Sequence, residues 1–413
     1  MSPIVVGKVH GSQIVFYYNK FSYFVYKKKT FIKLFYAYEE RGWLRRMNIF
    51  VLTSKYTATR DIIGEDFGRQ TRLFSALKKL RHNIDFFVAD YRKLEDRNTK
   101  LHGINVAIKP FGIFHFFSFL ASLDSALKRK KYDVFIATSD PLWGIIGYIY
   151  AKKHNIKFIY DLHDNYETYD TYKIPFFKHI DNFVMKRADA VLTITYTLKD
   201  KIKPIRKTNV FVIQNGADTK LFRPMDKKIC RKILNLPQDK KLIVYAGSIQ
   251  RYEGVDRLVA MFELLKKELK NCNLVVAGRY INGEEKYIDL KKQGIVYLGS
   301  LAQEKVVKLI NAADVCIIPY TDNNQVTYGF PYKLIEYMAC KAPIVATAVG
   351  DVRFVLKNHK GSLCSAGSII DMKNKVVEKL NSKKQYDYGK ELNQFTWDAL
   401  AIRLNSIIRM VAK

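Results

Sequence analysis

From residue 47 onward, short apolar runs alternate with stretches whose apolar residues recur at helical spacing. NIFVLTS (48–54) reads as a strand, RQTRLFSALKKL (69–80) as a helix and IDFFVAD (84–90) as the next strand. YDVFIATS, WGIIGYIYAKKH and KFIYDLHD repeat the pattern, and HFFSFLASLDSALKRK (115–130) reads as a covering helix with an aromatic start that could also touch lipid or acceptor. After VFVIQNGAD and LFRP the alternation restarts with KKLIVYAG (240–247), followed by NLVVAG, IVYLGS, DVCIIP and PIVAT. Such alternation predicts parallel sheets reached by right-handed crossovers and covered on both faces. The expected organisation is α/β: a first domain over 47–213, a second over 214–395 and a closing helix over 396–413 that crosses back to the first. Sheets of this kind bind ligands at the carboxyl ends of their strands, so a cleft between two facing sheets is the expected site.

The first 46 residues break the pattern. IVFYY and FSYFVY read as two aromatic strands around Asn19 and Lys20, and KKKTFIKLFYAYEERGWLRR reads as a basic amphipathic helix. That segment is open to three readings: an extension packed on the body, an anchor on an anionic membrane, or residues upstream of a start at Met47.

Apolar residues make up 48% of the 413, yet no stretch approaches the roughly 18 uninterrupted apolar positions of a spanning helix. MSPIVVGKVH lacks the pattern of a secretory leader, so the expected place is the cytoplasm or the cytoplasmic face of a membrane. Five scattered cysteines, none in a C-x-x-C pair, indicate neither a disulfide framework nor zinc. The net charge of +31 attracts anions of every kind, but without a zinc-finger, RNP-like or Arg/Gly-rich motif, nucleic acid is the weaker reading.

Phosphate-loop, G-x-G-x-x-G, G-x-S-x-G and H-E-x-x-H patterns are absent, as is an aspartate pair spaced to hold a divalent ion, so no metal cofactor is expected. GFPYKLIEYMACKAPIVAT is the most informative segment. A helix beginning near Pro331 would point the amides around Gly329 and Phe330 at a diphosphate or a sugar hydroxyl. Glu336 would lie on the face it shares with Lys333, where a carboxylate can accept both hydroxyls of a ribose. On spacing alone, an ordinary surface helix fits as well.

Several motifs, in order, resemble the group 1, family 4 glycosyltransferases from about Met47 to the end: YDLHD, ADAVLTIT, VIQNGADTKLFRP, VYAGSIQRYEGVDRLV, NLVVAG, IVYLGSLAQEKVVKLINAADVCIIPY, GFPYKLIEYMACKAPIVATAVGD and FTWDALAIRL. The resemblance implies the GT-B fold, two facing Rossmann-like doubly wound domains, with the acceptor on the first and the nucleotide sugar on the second. It implies that Glu336 holds the donor ribose, that Gly329, Phe330 and Pro331 form the loop against sugar and diphosphate, and that Gly247 and the following GSIQR loop face the diphosphate. His163 matches a family histidine near the transferred sugar, with Asp164 beside it, and Gly68 matches a glycine-rich first loop weakly.

Two departures stand out. Where many relatives have a second glutamate, eight positions before the first, this chain has Tyr328, a mark of the subgroup with P-x-K-x-x-E-Y-M-A. Where cations are usual, it has Ser248 and Glu253, so Arg251 and Lys333 are the nearest cationic substitutes. The resemblance implies a retaining transferase acting on a nucleotide sugar and a glycan or lipid-linked acceptor. A nucleotide-sugar epimerase of similar fold, or a catalytically silent sugar-nucleotide-binding subunit, would share much of this pattern.

Overall fold

The computed structural model describes residues 4–9, 12–16, 45–57, 60–281, 283–382 and 384–413. It divides into two compact units, Met1–Arg46 and Met47–Lys413. In the first unit, strands β1 (Ile4–Val9) and β2 (Ser12–Phe16) pair antiparallel, with Val9 opposite Ser12. The hairpin expected around Asn19 and Lys20 would pair IVFYY, of which Ile14, Val15 and Phe16 fall in β2, with FSYFVY; its turn lies outside the described residues. FSYFVY and the basic helix expected over 27–46 fall outside the described residues, apart from Arg45 and Arg46.

In the second unit the strands are β3 (Asn48–Ser54), the two-residue pair β4 (Tyr56–Thr57) and β5 (Arg60–Asp61), β6 (Asn83–Asp90), β7 (Arg97–Leu101), β8 (Ile104–Pro110), β9 (Val134–Thr138), β10 (Lys157–Leu162), β11 (Ala190–Thr193) and β12 (Val210–Val212). All but β4 and β5 form one sheet in the order β12-β11-β10-β9-β3-β6-β8-β7. The strands of the second half are β13 (Lys241–Ala246), β14 (Cys272–Ala277), β15 (Ile295–Tyr297), β16 (Val315–Ile318), β17 (Ile344–Thr347) and β18 (Leu363–Cys364), ordered β15-β14-β13-β16-β17-β18 and parallel throughout. Both sheets break their order at the first strand of each half, the switch point at which open α/β sheets place ligands.

The first sheet is parallel except at its edge, where β7 runs antiparallel to β8. His102 and Gly103 make the turn between them with φ of 49° and 78°, the doubly left-handed geometry of a tight hairpin. The purely parallel sheet expected from the sequence is corrected at this strand.

Alternation along each strand explains the layering. Phe50, Leu52, Phe87, Phe135 and Phe158 face the helices Phe116–Lys128, Pro141–Lys153 and Phe177–Arg187. Their sequence neighbours Ile49, Val51, Phe86, Val134 and Ile159 face the helices Arg69–Lys78 and Trp397–Val411. The closing helix is therefore packed on the first sheet. In the second half, Leu242, Val244, Cys316 and Ile344 face the helices Gln303–Ala312 and Tyr332–Ala339, while Ile243, Leu274, Ile317 and Val345 face Val255–Glu268 and Ile369–Asn381. All five cysteines are free and buried, as small apolar residues of the core.

The chain crosses between the halves twice, and the crossings touch: Ala217 bridges Thr396, and the Ala217 amide donates to the Phe395 carbonyl at 2.9 Å. Phe330 and Ile335 of the second half are buried in the same apolar cluster as the first sheet's helices, beside Phe395.

Candidate functional site

The eight-residue helix Tyr332–Ala339 has Pro331 as its N-cap, which fixes the entering backbone and leaves the first amides directed outward. Lys333 lies in its first turn, and its buried ammonium group is 2.5 Å from the Glu253 carboxylate and 3.1 Å from the Tyr245 hydroxyl. The same ammonium group presses on the end of β13: a Cβ at Gly247 would meet Lys333 Nζ at 2.6 Å. Only a glycine lets the chain and the cation approach so closely. Ser248 follows, its carbonyl 2.7 Å from the Tyr245 hydroxyl.

Glu336 sits one turn further along the helix, partly exposed. Enclosure by protein pushes its carboxyl up to about 7, and the nearby Lys333 charge moderates the rise. Among the described residues its carboxylate has no hydrogen-bond partner. Tyr332, the first residue of the helix, reaches the first half: its ring lies 6.5 Å from Phe67, and its hydroxyl faces the Arg69 amide. Gly68 immediately precedes the helix Arg69–Lys78, so the first glycine-containing loop is brought up to the Glu336 helix.

Across the cleft, His163 follows β10. Its Nδ1 accepts from the Ser139 amide at 3.2 Å and lies 2.9 Å from the Tyr166 hydroxyl, whose proton goes to the Asp161 carbonyl at 2.9 Å. These contacts leave the ring proton on Nε2. Burial pushes the imidazole down to about 4 despite the Asp161 charge, so His163 is a neutral donor at physiological pH. Ser139 holds a left-handed φ of 78°, pinned by the Ser54 amide at 2.7 Å and Thr53 Oγ1 at 3.0 Å, strain of the kind found beside sites.

Asp164, beside His163, accepts the Asn165 amide at 2.7 Å and is pushed up to about 6 by burial. Asp140, after the neighbouring strand β9, is likewise raised to about 6 by burial while it caps the helix Pro141–Lys153. Sequence reasoning missed Asp140; its position at a strand end before a helix was the available signal.

The halves are tied at several points. The Asn165 amide group donates to the Asn324 carbonyl at 3.2 Å, the Thr195 hydroxyl donates to the Tyr328 carbonyl at 2.9 Å, and the Asn215 amide group donates to the Phe330 carbonyl at 2.7 Å. Lys201 lies over the Tyr328 ring at 4.5 Å. Asp351 accepts the Tyr196 and Thr197 amides at 2.8 and 3.0 Å, so a carboxylate of the second half caps a helix of the first. Gly329 stands between these anchored neighbours in the 328–331 loop.

Two residues read from the sequence are placed differently. Arg251 turns to Glu284, with Nε 3.0 Å from its carboxylate, and stacks its guanidinium over Tyr287 at 3.7 Å. The Phe330 side chain is buried against Phe395, so this residue offers the cleft its backbone rather than its ring.

Comparison with known proteins agrees with this fold. Residues 226–394 match the family described as Glycosyl transferases group 1, and residues 71–221 match Glycosyltransferase Family 4. The chain belongs to the group 1, family 4 glycosyltransferases. An uncharacterized glycosyltransferase of Methanocaldococcus jannaschii is 24% identical over 315 residues, 70% of this chain and 77% of that one. Sucrose-phosphate synthase from Thermosynechococcus elongatus superposes with a TM-score of 0.68 at 18% identity, covering 88% of this chain and 99% of the other. Anabaena HepE in complex with UDP-glucose gives a TM-score of 0.63 at 16% identity, covering 89% and 98%. These structures share the GT-B fold with this glycosyltransferase, and its two halves meet where the residues above converge.

Proposed function

We propose that this glycosyltransferase binds a nucleoside-diphosphate sugar in the cleft and transfers the sugar, with retention of anomeric configuration, to a hydroxyl of a glycan or lipid-linked acceptor on the first half. The observation that supports this most is the convergence of Gly247, Lys333 and Glu336 at the N-terminus of the Tyr332–Ala339 helix. A carboxylate without a hydrogen-bond partner suits ribose hydroxyls, and outward amides beside a buried ammonium group suit a diphosphate. HepE has been seen with UDP and with UDP-glucose, which makes uridine diphosphate sugars the first donors to try.

In this reading the bond from the anomeric carbon to the diphosphate oxygen breaks as the acceptor oxygen bonds to the same carbon from the same face. The acceptor proton passes to the departing phosphate oxygen, and Lys333 and the helix amides meet the growing negative charge without a divalent ion. His163 donates Nε2–H to a hydroxyl of the transferred sugar, and Asp164 orients the acceptor. Retention and these roles rest on the family's chemistry together with the residues in place.

The test is a thermal-shift screen of nucleotide sugars, followed by product analysis with candidate acceptors. A donor at 100 times its dissociation constant stabilises by about 2.7 kcal/mol. A glycosylated acceptor supports transfer. Conversion of the nucleotide sugar with no acceptor consumed would instead make the protein an epimerase, and stabilisation with no turnover would make it a silent binding subunit.

A further inference from the structure

The helices Phe116–Lys128, Pro141–Lys153 and Phe177–Arg187 lie side by side on one face of the first sheet. Asp124 of the first reaches His154, just after the second, at 2.7 Å, and Tyr148 of the second meets Phe183 of the third with ring centroids 6.1 Å apart. Their inner faces are the core already described. Their outer faces are not what a water-facing layer should be.

Phe114 and Ile113 are 97% and 91% exposed on the short turn before the first helix, and Phe117 follows at 82%. At the start of the third helix, Phe176 is 77% exposed, and Ile180 and Phe183 continue its outward stripe at helical spacing. Ile149 is exposed on the helix between them. Soluble surfaces scatter single apolar side chains, but large ones recurring on neighbouring helices mark an interaction site.

Cations outnumber acids around them. Lys128, Lys152, Lys153, Lys178, Lys186 and Arg187 flank the apolar positions. Asp124 is held by Lys128, Lys153 and His154, Asp170 by Lys173, and Glu167 by Lys178 and Lys201, while Asp181 is buried against Tyr160 and Tyr172. The half-buried Asp140, capping the second helix, meets only the Leu142 amide, and the other carboxylates of these helices and the turn before the third are paired or buried. Projecting aromatic side chains set among unbalanced cations suit an interface that is apolar inside and anionic outside.

We propose that this face docks on an anionic lipid bilayer, with Ile113, Phe114, Phe117 and Phe176 entering the headgroup layer. Both projecting tips lie at the ends of crossovers that leave the carboxyl edge of the sheet, the edge at which His163 and Asp164 stand, so docking sets the cleft beside the lipid surface. A protein partner would need balancing acids or a groove; here the surplus charge is positive and the apolar groups protrude. Among the described residues no helix is long and apolar enough to cross a membrane, so the attachment is peripheral.

The experiment is co-sedimentation of the full chain with phosphatidylcholine vesicles, with and without phosphatidylglycerol. Binding is expected with the anionic vesicles, falling as salt rises. Phe114→Ser with Phe117→Ser, and separately Phe176→Ser with Ile180→Ser, should each weaken it by on the order of tenfold. Because these side chains are exposed, the melting midpoint should hold, which distinguishes lost docking from lost folding. Phe114→Trp should add a blue-shifted emission component on anionic vesicles. Undiminished binding of both double variants would overturn the proposal and move any membrane contact to another segment, such as the basic residues before Met47. It would equally be overturned if the double variants abolished self-association in analytical ultracentrifugation while vesicle binding persisted, since the face would then belong to a second copy.

Discussion

Lys333 and Glu253 form a 2.5 Å ion pair against the end of β13, eighty positions apart in sequence and in contact only because both halves of the second sheet's switch point fold onto Tyr245. The pair holds the ammonium group beside Gly247, where a diphosphate would lie. Replacing Lys333 by Ala should lower kcat at saturating donor by on the order of 10 to 1,000-fold, because charge grows on the leaving group as the glycosidic bond breaks. Arg251→Ala should stay within about twofold, since that guanidinium is engaged by Glu284 and Tyr287 and the change is at the surface. Steady-state kinetics on both variants checks the assignment; equal losses would return Arg251 to the site.

Arg69 and Asp161 form a second ion pair, each 2% exposed and 3.0 Å apart. Arg69 also donates to the Gln214 carbonyl at 2.7 Å, tying the glycine-containing loop to the crossing segment. Arg69→Ala leaves a carboxylate buried without its cation, a loss of about 3–5 kcal/mol. The melting midpoint should fall by roughly 4–6 °C. A fall of only a degree or two would show that the pair is dispensable.

The Asp351 carboxylate caps the helix Tyr196–Ile202 from the opposite half, so it acts as a latch as well as a cap. Asp351→Ala should cost about 1–2 kcal/mol. Hydrogen exchange should quicken at the Tyr196 and Thr197 amides before it quickens elsewhere in the first sheet. Unchanged protection of those two amides would argue that the halves stay closed without it.

Turnover is expected to persist in EDTA, because the cations proposed at the diphosphate belong to the protein. Among the described residues no group of three or more histidines, cysteines, aspartates or glutamates converges to hold an ion. Loss of activity in EDTA with recovery on added manganese would overturn this expectation.

Strands β3, β6, β9, β10 and β13 to β17 were legible because each is a short apolar run bounded by turn residues, and their burial on both faces followed from helices covering both sides. The Pro331 start of the Glu336 helix was legible for the same local reason. What could not be read is non-local: the Lys333–Glu253 contact, the Asp351 cap and the Arg251–Glu284 pair join residues far apart in sequence, and nothing in local spacing encodes them. The antiparallel edge β7 was a different omission. RNTKL and INVAIKP flank a His-Gly pair, a usable turn signal masked by the polar, exposed character of an edge strand.

Glu336 provides a pH test of the donor site. Its carboxyl stands near 7 rather than its ordinary 4.5, because enclosure penalises the charge more than Lys333 favours it. A raised carboxyl takes up a proton on folding, so this group favours the folded chain below about pH 4.5 and that contribution is lost as pH rises through 7. Donor binding has the opposite sign, since ribose hydroxyls donate to the ionised carboxylate and the bound proton must leave first. Affinity should therefore improve as pH rises, by about tenfold between pH 6 and pH 8, and then level off. His163, pushed down to about 4, stays neutral throughout and adds no step. Asp140 and Asp164 stand near 6, so the step must be shown to belong to Glu336. Glu336→Gln should do so by binding donor weakly with little change between pH 6 and pH 8. Lys333→Ala should move the midpoint upward, because it removes the charge that restrains the rise. Calorimetric titration with UDP-glucose, or whichever donor the screen selects, reads all three; a pH step that survives Glu336→Gln would take the ribose contact away from this residue.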